Sequence, residues 1–523
     1  MTERTVPLNP APVGDTPTGT ITRTALATAS PASQDYPADD GYKWKVLSVV
    51  IFGTFMSILD NTVVNVALRT LQDVFRADIS RTQGVVTYYA LALGIVIPVA
   101  GFLADRFGIK RVYVGSLIAF TLASMLCGLA PSLNALIAFR IIQGIGGGAL
   151  LPLGTAMLYG AFPPNERGLA LGFFGIPTLV APALGPTLGG YLVEYANWRL
   201  IFYINVPLGI IGAIVAIRLL RERRSVVRAR FDLPGAALSV VGFGSLLYGL
   251  SNAADNGWTS ARVVTALGIG VVAVVTFFLV ELRVRQPLLN VRLYGKPVYL
   301  LASMLGWVAA IAFFGVSFLL PLYLQTLRGR TPFQSGLLLL PQAAAAVISV
   351  AISGRLYDRI GPRWVITTGV TVLAISTIGF VRLSETTSFG TIIALLAVRG
   401  LALGCVFQPT QATALSVVER DQLTRASSLT NVMRNVFQSL GVAVLGTILQ
   451  TAGRAPVVSG RSLDAVAYTI NGYHAAYSVA LVFSIVGIGL AVFLPSTLRR
   501  GKRGVAGESA TITPPADVVP VEI

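Results

Sequence analysis

Apolar residues run along this chain in long, uninterrupted blocks. They show neither the strict alternation of a half-buried strand nor the single stripe of a surface helix. The blocks lie at about residues 45–67, 84–103, 112–130, 134–160, 168–192, 199–219, 234–254, 263–281, 298–324, 334–354, 364–382, 389–416, 426–451 and 473–495. Each is near the ~20 residues that an α-helix needs to cross a bilayer. The pattern predicts an all-α integral membrane protein with fourteen transmembrane helices. Residues 1–42 hold Thr, Ala, Pro and Asp without an apolar block and predict a disordered tail. No basic stretch leads at once into a short apolar run, so no cleaved signal peptide is expected and the first span serves as the insertion signal. Residues 498–523 predict a second tail, opening with Arg499, Arg500, Lys502 and Arg503.

Composition sharpens the class. Of 523 residues, 54% are hydrophobic and 12% charged, where an ordinary soluble protein has about 25% charged. A soluble enzyme is thereby excluded. The net charge of +17 would suggest a polyanionic partner in a soluble chain, but here the basic residues are scattered between apolar blocks. With both tails taken as cytoplasmic, about 27 Lys/Arg fall on the tails and same-side loops and about 10 on the opposite side, with Arg140, Arg399 and Arg434 inside spans. The densest loop carries Arg218, Arg221, Arg223, Arg224, Arg228 and Arg230, whereas the long opposite loop at about 452–472 carries Arg454 and Arg461. The excess charge therefore predicts a multi-pass topology with both termini in the cytoplasm, and no nucleic-acid partner. Cys127 and Cys405 lie far apart in apolar blocks, and His474 is the one histidine. No disulfide framework, metal site or cofactor is expected.

The chain also repeats itself. GFLADRFGIKR at Gly101–Arg111 and GRLYDRIGPR at Gly354–Arg363 align at a constant offset of 253, with Asp105 and Arg106 matching Asp358 and Arg359. A repeat in parallel orientation is a transporter signature. It predicts two pseudo-symmetric six-helix bundles, with the seventh and eighth spans as linking helices. Gly108 and Gly361 suit a tight turn with positive φ. Asp105 and Asp358 can accept from backbone N–H groups at a helix start and pair with a nearby Arg, a contact able to hold a gate closed. The plainer alternative is a basic topogenic turn.

Few ionisable groups lie deep in the spans. Asp60, in LDNTVVNVAL, sits at the edge of a polar stripe of Thr54, Ser57, Asn61 and Asn65. A carboxylate alone in lipid takes up a proton more readily than one in water; at the outer headgroup level it would simply be solvated. Arg140 shares a helical face with Gln143, Gly144 and Gly147 in RIIQGIGGG. An Arg inside a span usually faces the bundle interior, with snorkelling to the interface as the alternative. Arg399 is a weaker candidate for its symmetric partner. Pro182, Gly185, Pro186 and Gly189 lie on one face of the fifth span and predict a closely packed kink. In the thirteenth span Asn431, Arg434 and Gln438 share a polar face that either lines the cavity or lies near the cytoplasmic end beside Arg425.

Together these strings resemble the major facilitator superfamily. Fourteen spans with LDNTVVNVAL, GPTLGG, WRLIFYINVPLG, PLYLQ and SGLLLLP resemble its fourteen-span drug/proton antiporter branch, over roughly residues 45–495. The resemblance implies a secondary active transporter and not an enzyme: export of amphipathic small molecules such as drugs or antibiotics, driven by protons, through alternating access in a bacterial plasma membrane. It implies proton coupling at Asp60 and Arg140; the polar faces of the spans point to a substrate cavity at Asn61, Asn65, Gln143, Arg434 and Gln438. It implies a cytoplasmic gate at Gly101, Asp105, Arg106, Gly108, Asp358 and Arg359, and an antiporter kink at Pro182, Gly185, Pro186, Gly189 and Gly190. The sequence departs from the family pattern at Arg69, where Pro is usual, and at Ala181, where Gly is usual; the tenth span lacks the acid that some members use for organic cations. The expected organisation is a tail at 1–42, a bundle at 43–220, the basic loop and two extra helices at 221–297, a second bundle at 298–497 and a tail at 498–523. The expected protein is a monomer in the lipid bilayer. A narrow metabolite exporter or an importer of the same fold is the alternative, and a membrane enzyme is disfavoured for want of clustered acids or metal ligands.

Overall fold

The computed structural model describes residues 40–77, 79–163, 166–222, 232–284, 287–419, 422–452, 457–458, 461–462 and 465–496. Residues 1–39 of the first expected tail, the second expected tail and the arginine-rich stretch 223–231 lie outside the described residues, while residues 40–42, expected in the first tail, already belong to the first helix. The helices are α1 (Asp40–Phe75), α2 (Ile79–Phe107), α3 (Ile109–Gly128), α4 (Leu133–Gly147), α5 (Leu150–Ala161), α6 (Arg167–Tyr195), α7 (Leu200–Tyr203) and α8 (Asn205–Leu219). They continue with α9 (Leu233–Asn256), α10 (Ala261–Glu281), α11 (Pro297–Thr326), α12 (Pro332–Ile360), α13 (Pro362–Val381), α14 (Phe389–Ser416), α15 (Leu423–Ala452) and α16 (Ala465–Val492). A two-residue β-ladder pairs Val457–Val458 with Arg461–Ser462. Joined as α4–α5 and α7–α8, the helices give fourteen segments long and apolar enough to cross a membrane.

The ends of these helices follow local chemistry. Ser132, Asp232 and Ser388 cap α4, α9 and α14 by accepting from the backbone of Ala135, Gly235 and Thr391. Thr331 and Gln334 form a reciprocal capping box at the start of α12, with Pro332 in its first turn. Gly108 and Gly361 separate α2 from α3 and α12 from α13 with φ of 97° and 84°, a region that a side chain disfavours. Both repeats thus use glycine for the same turn.

In the N-terminal half α1 packs on α6, α5 and α8, and α4 packs on α2 and α3. In the C-terminal half α11 packs on α14, α15 and α16, and α14 packs on α12 and α13. One apolar core gathers Leu59, Val63, Leu136, Trp198 and Phe202; another gathers Val316, Tyr323, Phe380 and Tyr477. The halves meet along α6 and α12 on one side, and through α15 against α2 and α5 on the other. The hairpin of α9 and α10 is more than a link, because α9 packs against both α2 and α15 and covers their seam. Its partner α10 turns Val264, Ile269, Val272, Val275 and Leu279 outward, a surface suited to lipid rather than water. The chain is a multi-pass membrane protein.

Candidate functional site

Asp60 lies inside the protein rather than at a solvated rim: it is 1% exposed. It falls well inside α1, whose 36 residues span about 54 Å at 1.5 Å per residue, where α4 and α8 pack against that helix.

Asp60 is also not alone. Arg140 on α4 donates from Nη1 to its Oδ2 at 2.5 Å. Gln143 donates from Nε2 to Oδ1 at 2.9 Å, and Asn205 on α8 donates from Nδ2 to the same oxygen at 2.8 Å. All three contacts are donors, so the arrangement suits an ionised carboxylate. Gln143 binds both charges, since its Oε1 accepts from Arg140 Nη1 at 2.7 Å. Asn205 is steadied in turn by Ser124 Oγ at 3.1 Å, which itself donates to the Phe202 carbonyl. Arg140 donates from Nε to the Val85 carbonyl at 3.1 Å and lies 3.8 Å from the Tyr89 ring centroid, while its buried Nη2 has no partner among the described residues. An ion pair this deep depends on such supporting donors, because removing one member leaves an uncompensated charge.

Glycine lets the helices come close enough to build this network. A Cβ on Gly144 would fall 2.6 Å from the Tyr89 carbonyl oxygen, and one on Gly146 would fall 2.6 Å from the Phe120 nitrogen. The spacing of Arg140, Gln143, Gly144 and Gly147 puts all four on the buried side of α4. The α4 helix breaks at Gly148–Ala149 and α5 resumes.

The kink motif lies directly beside Asp60. On α6, Gly185 abuts Thr62 and Gly189 faces the Val63 carbonyl, while Thr62 Oγ1 donates to the Ala181 carbonyl at 3.3 Å. Pro177, Pro182 and Pro186 are all accommodated within one helix. Gly190 faces α12 instead, where a Cβ would fall 3.2 Å from the Phe333 Cα.

The repeated loops reach across to the other half. Asp105 Oδ2 accepts from Arg425 Nη2 at 2.9 Å and from Nε at 3.2 Å. Gly101 lets α2 approach the Arg425 backbone, 3.6 Å from where a Cβ would be. Asp358 takes the backbone N–H groups of Gly168 and Leu169 at the start of α6. Each motif acid therefore engages the first turn of a helix belonging to the opposite half. Arg106 and Arg359 are exposed and take no part in these contacts.

Of the expected cavity residues, Gln143 joins the Asp60 network. Asn61 is half-buried and Asn65 is exposed, with Asn65 Nδ2 donating to the Asn61 carbonyl at 3.0 Å. Arg434 lines a cavity of about 30 Å³ between α11, α14 and α15; Gln438 is half-buried and outside that lining. Arg399 is 1% exposed and donates to the Phe313 carbonyl at 2.9 Å. A larger groove of about 720 Å³ between α2, α9 and α10 is apolar apart from Arg262, Ser245, Tyr248 and Thr265, and lies away from the buried ion pair.

Sequence reasoning missed Asn205, Tyr89 and Arg425. Asn205 stands alone in an apolar run, a signal that could have been read. Tyr89 and Arg425 carry none, since aromatic residues and end-of-span arginines are common in any membrane helix.

The chain resembles known proteins along most of its length. It is 34% identical over 413 residues to the multidrug resistance protein B homolog of Mycobacterium tuberculosis (strain ATCC 25618 / H37Rv), covering 77% of this chain and 76% of that protein. It is 30% identical over 479 residues to the lincomycin resistance protein LmrB of Bacillus subtilis (strain 168), covering 90% of this chain and 98% of that one. The crystal structure of the human organic anion transporter MFSD10 (TETRAN) superposes with a TM-score of 0.62 over 87% of this chain and 100% of that chain, at 14% identity, a likeness of fold. The sequence profile of the Major Facilitator Superfamily matches residues 50–442. Fourteen apolar helices, two motif loops reaching across paired halves and this match lead to one conclusion: the chain belongs to the Major Facilitator Superfamily of membrane transporters.

Proposed function

We propose that this protein is a proton-driven exporter of amphipathic small molecules, of the multidrug efflux kind. It acts as a monomer in a bacterial plasma membrane, with both termini and the basic loops on the cytoplasmic side. The moving parts are the halves 43–220 and 298–497, with α9 and α10 riding on the α2/α15 seam. The observation that carries the reading is the buried Asp60 carboxylate, held by Arg140 at 2.5 Å and by Gln143 and Asn205. The names of the two bacterial relatives, one a multidrug and one a lincomycin resistance protein, support the export of drug-like molecules.

The mechanism follows from what a proton does to this network. In the arrangement described, Asp60 is satisfied as an anion and the cytoplasmic contacts Asp105–Arg425 and Asp358–Gly168 are made. Protonation turns Asp60 from a triple acceptor into a group that must also donate. Arg140 then loses its counter-charge and must find another. The adjoining Thr62 and Val63 press on Gly185 and Gly189, so a shift of α1 is passed to α6. The first turn of α6 is the docking point of Asp358. Loading a proton at Asp60 thereby loosens the cytoplasmic gate, and substrate enters from that side as the proton leaves.

Inside-out membrane vesicles test this. An amphipathic dye is expected to accumulate when the lumen is made acidic, and Asp60→Asn is expected to abolish the dependence on the gradient. Accumulation indifferent to the gradient in the unmodified protein would sink the coupling.

A further inference from the structure

The charges deep in the two halves are not balanced alike. Asp60 and Arg140 neutralise each other in the N-terminal half. In the C-terminal half Arg399 and Arg434 have no acidic partner among the described residues. Arg399 is enclosed: its Nη2 donates to the Ala312 and Phe313 carbonyls, the rings of Phe313 and Phe380 flank it, and its Nη1, without a partner among the described residues, lies outside the lining of the cavity that Arg434 faces. Arg434 differs. Its Nη2 donates to Asn431 Oδ1 at 2.7 Å, an oxygen whose amide is anchored on Ser427. Its remaining N–H groups have no partner among the described residues, and it faces the cavity of about 30 Å³.

The other walls of that cavity are built for an acceptor. Ser303 on α11 and Thr410 on α14 are each 5% exposed, and their hydroxyls have no partner among the described residues. Gln411 adds an amide, and Trp307 supplies an apolar face, stacked on Phe437 with centroids 4.8 Å apart. Buried hydroxyls left unpaired are costly. A guanidinium without a counter-charge in a low-dielectric setting is costlier still. The volume admits a group the size of a carboxylate, but not a whole drug-sized molecule.

We propose that Arg434, Ser303, Thr410 and Gln411 form a subsite for the carboxylate of an amphipathic substrate, so that the molecules moved are chiefly organic acids. The proposal rests on the reading that the chain transports amphipathic small molecules. A carboxylate accepts from the planar guanidinium and from both hydroxyls at once. Its apolar body lies outward over Trp307. A primary amine at the same place would meet like charge and leave the hydroxyls unpaired, so the site discriminates against cations by repulsion as well as by lost contacts.

Binding to the purified full-length protein tests this apart from transport. Radiolabelled 1-naphthaleneacetate and its uncharged amide share one apolar body. The unmodified protein is expected to hold the acid about ten-fold or more tighter than the amide. Arg434→Gln is expected to weaken the acid by about ten-fold or more while leaving the amide within about two-fold. Should that variant fail to fold, judged by its melting temperature, Arg434→Lys and Thr410→Val serve instead, each expected to narrow the acid/amide ratio. An unchanged ratio in the folded variants, equal binding of the two probes, or no binding of either overturns the subsite. Vesicles that fail to accumulate any amphipath while the ratio behaves as expected overturn the export reading and leave the subsite standing.

Discussion

At the scale of single residues, the decisive feature is how few charges the interior contains and how differently each is held. Asp60 has three donors, Arg140 has an acid, an amide and a carbonyl, and Arg434 has one amide and open space. Asp60, Arg140 and Gln143 could be read from the sequence, because an ionisable group in an apolar block has few roles other than an internal one. Their meeting could not, since it depends on α1, α4 and α8 converging. The glycines of α4 are what permit that convergence. A Cβ on Gly146 would sit 2.6 Å from the Phe120 nitrogen and 3.0 Å from the Ala119 carbonyl carbon, main-chain atoms with little freedom to yield. Gly146→Ala is therefore expected to lower stability by about 1–3 kcal/mol, read as a fall in melting temperature in detergent. Gly115→Ala, where nothing lies within 4 Å, is expected to change it by no more than ~0.5 kcal/mol. Equal effects of the two would show that helix proximity does not set the position of Arg140.

At the scale of elements, the blocks located all fourteen helices, because a bilayer demands ~20 apolar residues in succession whatever their order. The ends were less legible. The α1 helix begins at Asp40 and runs to Phe75, beyond both limits of its block, since helical hydrogen bonding does not stop where lipid does. The fourth block hides the break between α4 and α5, because a Gly-rich run is as apolar as the helix around it. The fifth block kept its helix through three prolines, in a helix packed between α1 and α12. The two extra helices gave no sign of their place. Their apolar faces are nearly uniform, and only the contacts of α9 with α2 and α15 reveal that they cover a seam between the halves.

At the scale of the whole molecule, the 253-residue offset became a physical relation. Asp105 and Asp358 each hold the first turn of a helix in the opposite half, at Arg425 and at Gly168–Leu169. The repeat was legible; the partners were not, since the pairing depends on how the halves dock. If the Asp105–Arg425 contact holds the gate, the pairing of opposite charges should matter more than which residue carries which charge. Asp105→Arg alone is expected to reduce transport by about ten-fold or more, and adding Arg425→Asp to recover a good part of it. A double variant no better than the worse single one would show that the contact does not hold the gate.

The central claim is that Asp60 carries the proton that drives export. Its most direct measurement is substrate-driven proton movement in proteoliposomes containing a pH-sensitive dye, with the unmodified protein and Asp60→Asn compared at equal amounts of folded protein. Addition of a transported amphipath is expected to move protons in the opposite direction with the unmodified protein and to move none with Asp60→Asn. Undiminished proton movement in the Asp60→Asn protein would contradict the claim.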